Sequence, residues 1–192
     1  MTLSELTEKF PGIRLSRLTQ DHNIKPFDCG EKDLNDFLFN DAKQLQSNLL
    51  WVTYVFETDN FTIAYFAVAN DLLNINVNDH RDFKHELRSR YRGHRFLYKL
   101  FEQTSFPAVK LGRFGVTEKY HRQGIGSFLL DFIKYFFINN NKTGCAFITV
   151  DALNKCDAIS FYEKNGFEIL TNTDLTDPTR TMYYCLMLRS IG

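Results

Sequence analysis

His121-Arg122-Gln123-Gly124-Ile125-Gly126-Ser127 is the segment whose residue types and order can do chemistry. It stands between a strand-like run and a strongly apolar helical pattern. A helix start leaves backbone N–H groups without partners, and the aligned peptide dipoles add partial positive charge there. Two glycines remove the Cβ atoms that would hold a ligand off the backbone, and Arg122 adds a full charge. Together these make an anion site suited to a diphosphate. A tight turn into a packed helix would also place glycines here, and the residues alone leave both readings open. Other phosphate loops are excluded. There is no GxxxxGK, and Leu129 replaces the last glycine of a dinucleotide fingerprint. No acidic residue follows about twenty positions on at a strand end to hold a ribose.

The elements that must position this loop read as alternating strands and helices. Residues 108–116 predict a strand and 117–123 a polar turn. Ile125, Phe128, Leu129, Phe132, Ile133, Phe136 and Phe137 then recur at steps of three and four, the stripe of an amphipathic helix, which the asparagines at 139–141 end. Upstream, 13–18 predict a strand. Residues 31–47 predict a helix with Leu34, Phe37, Leu38, Ala42 and Leu45 on one face. Residues 51–57 and 61–70 predict a hairpin about Thr58-Asp59-Asn60. A helix is expected over 82–99, although Gly93 interrupts it. Downstream, 146–151 predict a buried strand and 154–164 a helix stopped by Gly166 in the C′ position. Final strands are expected over 167–170 and 181–188. The class is mixed α/β.

Composition narrows the function. At 192 residues, with 44% hydrophobic, 15% aromatic and 24% charged residues, a single folded domain over 1–192 is expected, with a basic helical segment near 75–103. Lys+Arg and Asp+Glu both total 23, so no global field points to nucleic acid or membrane. Charges interrupt every apolar run, so no membrane span is expected. The first ten residues carry Glu5 and Glu8 and do not read as a secretory signal. Four cysteines without CxxC or zinc spacing, and no HExxH, lead us to expect reduced thiols, a cytoplasmic location and no metal.

A resemblance enters at Val116, His121, Gly124 and Gly126. These look like the acyl-CoA loop of the GNAT N-acetyltransferase family: Val, four residues, Gln or Arg, two residues, Gly, any residue, Gly or Ala. This chain departs at His121, where the family carries Gln or Arg. That alters one side-chain contact and leaves the backbone cradle. Downstream, Asn154, Ala158 and Tyr162, then Gly166-Phe167, resemble the family's Asn…Ala…Phe-Tyr…Gly-Phe segment. Phe27-Asp28-Cys29-Gly30 with Leu34, Asn35, Phe37 and Leu38 resembles a subgroup that includes toxins of toxin–antitoxin pairs. So do residues 65–71 and 106–113.

The resemblance implies a central, mostly antiparallel twisted sheet with splayed central strands flanked by helices. It implies acetyl transfer from acetyl-CoA to an amine. Phe114 and Val116 would meet the pantetheine arm through their backbone. His121, Arg122, Gln123, Gly124, Ile125, Gly126 and Ser127 would hold the pyrophosphate. Asn154 would contact the cofactor arm or cap its helix. Arg122, Lys119 or Lys155 would meet the 3′-phosphate. Tyr162 would protonate the departing thiolate, since a phenol of pKa about 10 can donate at little cost to an acceptor of comparable pKa. Without the resemblance, Tyr162 reads as a core aromatic. Glu118 and His121 are the candidate bases, and neither is compelling. That favours an α-amine of pKa about 8 over a lysine near 10.4.

Residues 79–99 hold seven Lys/Arg and three acids, a local +4, with Tyr91, Phe96 and Tyr98 interleaved. This fits a nucleic-acid face or a solvated basic helix. Residues 151–177 hold six acids and two lysines, a local −4. Two acceptor readings remain for an enzyme: the α-amine of aminoacyl-tRNA, with tRNA and an antitoxin as partners, or a small amine or protein amino group. A binding module without turnover is the alternative class. A homodimer is a further possible partner state, with Phe136, Phe137, Tyr183 and Tyr184 as surplus aromatics.

Overall fold

A computed structural model describes residues 2–75, 103–139, 143–172 and 174–188, with His85 and Ser89 besides. The helix expected over 82–99 and the basic run with it lie outside the described residues, except that His85 and Ser89 are helical. Seven strands are described: β1 (Arg14–Arg17), β2 (Val52–Glu57), β3 (Thr62–Asn74), β4 (Ser105–Val116), β5 (Phe147–Leu153), β6 (Glu168–Ile169) and β7 (Thr179–Cys185). They form one sheet in the order β1-β2-β3-β4-β5-β7-β6. The helices are α1 (Leu3–Lys9), α2 (Lys32–Asp36), α3 (Ala42–Ser47), α4 (Ile125–Ile138) and α5 (Cys156–Lys164). This is the mixed α/β class that the sequence predicts. The chain divides into two compact units, Met1–Ala69 with Lys110–Asn140 and Asn70–Val109 with Asn141–Gly192.

In the first unit β1, β2 and β3 form an antiparallel meander, with Arg14 opposite Glu57 and Val52 opposite Val68. The expected hairpin turn is present. Thr58 N–H donates to the Phe61 carbonyl at 3.0 Å. Alternation sends β2 side chains to two faces. Tyr54 and Phe56 meet Phe136 and Phe132 of α4 at ring separations of 5.4 and 5.2 Å. Val55 joins Tyr65, Leu38 and Ala42 in the core on the other face. The helix expected over 31–47 is α2 and α3 joined by a π-turn at Phe37–Asp41. Each fully buried side chain of this size contributes about 1.5–3 kcal/mol.

Two glycines on β4 let aromatic rings lie against the strand. A Cβ on Gly115 would stand 2.9 Å from Tyr65 Cε1 and 3.1 Å from Phe27 Cζ. Tyr65 is fully buried, and its hydroxyl donates to the Leu34 carbonyl at 2.8 Å, so the ring cannot swing aside. Gly115→Ala is expected to cost about 1–3 kcal/mol by overpacking, read as a lower denaturant midpoint with an unchanged slope.

The second unit pairs β5 with β7 over seven residues, Phe147 opposite Cys185 to Leu153 opposite Thr179. β6 adds to the far side of β7 through Glu168 opposite Tyr183. Leu73, Phe106, Phe147 and Tyr183 centre its core. The last strand is shorter than expected, because the chain turns into a 3₁₀ segment at Leu186–Leu188. Arg180 is buried and donates from Nε to Asp174 at 2.7 Å and from Nη2 to the Thr171 carbonyl at 2.9 Å, which fixes the loop before β7.

Candidate active site

The loop in the first unit is anchored residue by residue. Thr117 donates from its N–H to the Ile63 carbonyl and from its hydroxyl to the Thr62 carbonyl, each at 2.8 Å. Glu118 N–H donates to the Asp28 carbonyl at 2.9 Å. Asp28 itself is held by Gly30 N–H and Asn35 Nδ2, which keep its carboxyl below the usual carboxylate range. The Phe27-Asp28-Cys29-Gly30 segment thus braces the turn from which the loop departs. A 3₁₀ turn at Glu118–Tyr120 follows, and Tyr120 meets the Phe10 ring edge-on at 4.8 Å.

His121 does not face an open site through Nε2. That nitrogen lies 2.7 Å from the Val116 carbonyl, and a carbonyl only accepts, so Nε2 carries the proton. The imidazole clips the loop back to the end of β4. Its candidacy as a base therefore reduces to Nδ1. Arg122 has φ +57° and Gly124 φ +80°, two left-handed residues within three positions. For Arg122 this costs about 1–2 kcal/mol, a strain of the kind that collects at binding loops.

Gly124 is the N-cap of α4, with no side chain capping the helix and no acid in its first turn. Among the described residues no backbone bond reaches the N–H groups of Ile125, Gly126 or Ser127. The apolar stripe read from the sequence is what pins this end: Ile125, Leu129, Leu130 and Ile133 are buried. Arg122 and Lys119 are exposed beside it. The arrangement can receive an anion on backbone donors.

Sequence reasoning missed α1. Its signal was the capping box Thr2-x-x-Glu5, in which each residue's side chain accepts from the other's N–H. Lys9 at its end donates to Gln123 Oε1. With Phe10 on Tyr120, this ties α1 to the loop.

In the second unit Tyr162 lies on α5, which ends in a Schellman motif. Gly166 has φ +78°, its N–H donates to the Glu163 carbonyl at 2.9 Å, and Phe167 N–H donates to the Tyr162 carbonyl at 3.0 Å. The Phe167 ring closes on Tyr162 at 5.4 Å, the apolar contact that accompanies this motif. One glycine thus fixes the backbone and ring of Tyr162. Gly166→Ala is expected to cost about 1–2 kcal/mol for the left-handed residue, measured by denaturation. It is also expected to lower kcat by displacing the ring.

Tyr162 is 9% exposed, and burial pushes its phenol up to about 12. Its hydroxyl has no hydrogen-bond partner among the described residues. By contrast Tyr183 donates to Glu168 Oε2 at 2.8 Å. The only side-chain polar atoms sealed from solvent without a partner, among the described residues, are Thr53 Oγ1 and Arg113 Nε. The Tyr162 hydroxyl therefore opens to solvent.

Asn154 is not on the helix face with Ala158 and Tyr162, because α5 begins at Cys156 with Lys155 as an extended N-cap. Asn154 stands in the bend between β5 and α5 instead, its N–H donating to the Pro178 carbonyl at 2.9 Å. Its Nδ2 donates to the carbonyls of Leu175 and Asp177, each at 2.9 Å. The side chain staples the loop before β7 and does not cap α5. Among the described residues no group of His, Cys, Asp and Glu gathers as a metal site, and no helix is long and apolar enough to cross a membrane.

Residues 90–169 match the family model described as Acetyltransferase (GNAT) domain. No curated protein sequence matches the chain. Among solved structures, a tyrosine-to-phenylalanine mutant of KacT is similar at TM-score 0.70 and 18% identity, covering 94% of this chain and 99% of that one. AtaT complexed with acetyl-methionyl-tRNAfMet is similar at TM-score 0.67 and 18% identity, covering 93% and 98%. An AtaT mutant toxin bound to the C-terminus of the antitoxin AtaR and acetyl-CoA is similar at TM-score 0.62 and 18% identity, covering 92% and 94%. At these identities the likeness is one of fold. The family-model match over 90–169 and the fold shared with KacT and AtaT make this chain similar to GNAT acetyltransferases.

Proposed function

We propose that this chain transfers an acetyl group directly from acetyl-CoA to an amine, and that the acceptor is the α-amine of an aminoacyl-tRNA. The observation that carries the reading is the Tyr162 hydroxyl, held by the Schellman motif and left without a partner. A hydroxyl that opens to solvent on a ring fixed by packing can reach a bound thiolate, which a hydroxyl bonded within the core could not.

The N–H groups of Ile125, Gly126 and Ser127 hold the pyrophosphate, with Arg122 adding charge and His121 fixing the loop. The backbone at Phe114 and Val116 pairs with the pantetheine amides. Asn154 holds the loop over 175–177 and keeps Oδ1 for the cofactor arm. The amine lone pair forms the C–N bond at the thioester carbonyl, and the C–S bond breaks. Tyr162 gives its proton to the thiolate.

The tRNA acceptor is supported by the +4 balance of residues 79–99 and by the fold shared with a toxin solved with an acetylated aminoacyl-tRNA. It implies an antitoxin as protein partner and a cytoplasmic site of action. The test is label transfer from acetyl-CoA to charged tRNA, a polyamine and a peptide. Label is expected on the charged tRNA. Label only on the polyamine or the peptide replaces the acceptor. Label on none, with no free thiol released, overturns the enzyme reading.

A further inference from the structure

The amine acceptor needs a group to receive it and take its proton, and the two candidates read from the sequence belong to the first unit, whereas Tyr162 belongs to the second. His121 has Nε2 committed to Val116. Glu118 is an exposed residue beside Gly30. Resting on the acetyl-transfer reading, we infer that Asp71 on β3 receives the acceptor amine and accepts its proton.

The placement of Asp71 carries this. Along the second half of β3, Asn70, Leu72 and Asn74 are exposed, whereas Leu73 and Ile75 are buried at 2% and 5%. Alternation therefore sets Asp71, half-buried, in one row with Leu73 and Ile75, facing the apolar cluster of Phe106, Phe147 and Tyr183. A carboxylate on that face costs free energy unless a cation or hydrogen bonds compensate it. No cation pairs with it among the described residues. Its one described partner is Thr149 on β5, which is 2% exposed and donates from Oγ1 to Asp71 Oδ2. The Val109 carbonyl lies 3.5 Å from the same hydroxyl. Thr149 thus orients the carboxylate and leaves Oδ1 uncommitted.

The β4 stretch Ser105 to Val109 carries no charged residue, and Asp151 on β5 accepts from Thr181 Oγ1 at 3.2 Å. β5 also leads directly into α5 and Tyr162, so the proton acceptor and the proton donor belong to one unit.

The step balances. An ammonium first pairs with Asp71. One of its protons passes to the carboxylate, and the freed lone pair forms the C–N bond at the thioester carbonyl. After attack the second proton leaves to water, and Tyr162 protonates the thiolate released as the C–S bond breaks. Asp71 then returns its proton to water, and Tyr162 is reprotonated from water.

The test is the pH dependence of kcat/KM for the amine in wild type and Asp71→Asn, with the melting temperature of each. At pH 7 the variant is expected to lose at least about tenfold, with the KM of acetyl-CoA within about twofold. The loss is expected to shrink above about pH 8, where an α-amine is already neutral. An acceptor of low pKa, such as an aniline, is expected to react equally well with both proteins. Thr149→Val, which keeps the side-chain shape, is expected to show a smaller loss with the same pH trend, and it carries the test if Asp71→Asn does not fold. Equal kcat/KM for variant and wild type, or a loss that is constant with pH and acceptor, overturns this inference alone. A wild-type chain that acetylates no amine overturns the acetyl-transfer reading beneath it.

Discussion

Tyr162→Phe is expected to lower kcat by about 10²–10⁴, the usual contribution of a general acid. The affinity for acetyl-CoA should stay within about twofold. The substitution removes one oxygen that has no hydrogen-bond partner and leaves the ring against Phe167, so the fold has nothing to lose. Melting temperature should be unchanged or slightly higher. The phenol pushed up to about 12 by burial also sets a sign for pH. An acid acts only while protonated, so its contribution falls as pH rises through its pKa. At about 12, Tyr162 remains protonated up to pH 9 and beyond, and no alkaline fall in rate should come from it below about pH 11. A phenol at 12 is a weaker acid than one at 10 by about 2.7 kcal/mol. Burial raises thiols too, as it does Cys145, to about 11, and a thiolate formed in an enclosed site narrows the gap. Stopped-flow or steady-state kcat with calorimetric binding of acetyl-CoA checks all of this. A kcat within twofold of wild type removes the acid.

Ser127→Asp is expected to separate binding from stability. Ser127 is the third residue of α4, in a first turn without acids or a side-chain cap. A carboxylate there suits the helix dipole and should stabilise the free protein by about 0.3–1 kcal/mol. The same carboxylate faces the diphosphate that the reading puts on these N–H groups. At about 5 Å and an effective dielectric of about 20, one pair of like charges costs about 3 kcal/mol. Affinity for acetyl-CoA should therefore fall about a hundredfold, more at low salt than at high. A variant that is more stable and binds acetyl-CoA as before would move the pyrophosphate away from α4.

The elements that the sequence yields best are those with one strong period. The stripe from Ile125 to Phe137 predicts α4 to within a residue of its observed end, because a 3.6-residue repeat of large side chains has one way to be buried. Gly166 after a helical run marks the C′ position, because φ +78° is costly for any residue with a Cβ. Weaker signals are context-bound. Asn154 four residues before Ala158 looks helical, yet its N–H bond to the Pro178 carbonyl holds it in the bend before α5. Thr2 and Glu5 cap a seven-residue helix whose sequence has little stripe of its own, and Leu6 alone is buried in it.

By itself the sequence determined the α/β class, the glycine-rich corner before an apolar helix, and the phenol four residues before a stop glycine. All of these are local: they follow from side-chain period, backbone freedom and neighbours within one turn. Tertiary structure alone decided that His121 Nε2 is spent on Val116, that Asn154 Nδ2 is spent on the loop before β7, and that Tyr162 keeps an unpartnered hydroxyl. It also set Asp71 against Thr149. Those outcomes depend on which acceptor lies within about 3 Å after the strands pair, and a hydrogen bond falls off too steeply with distance and angle for spacing along the chain to predict it.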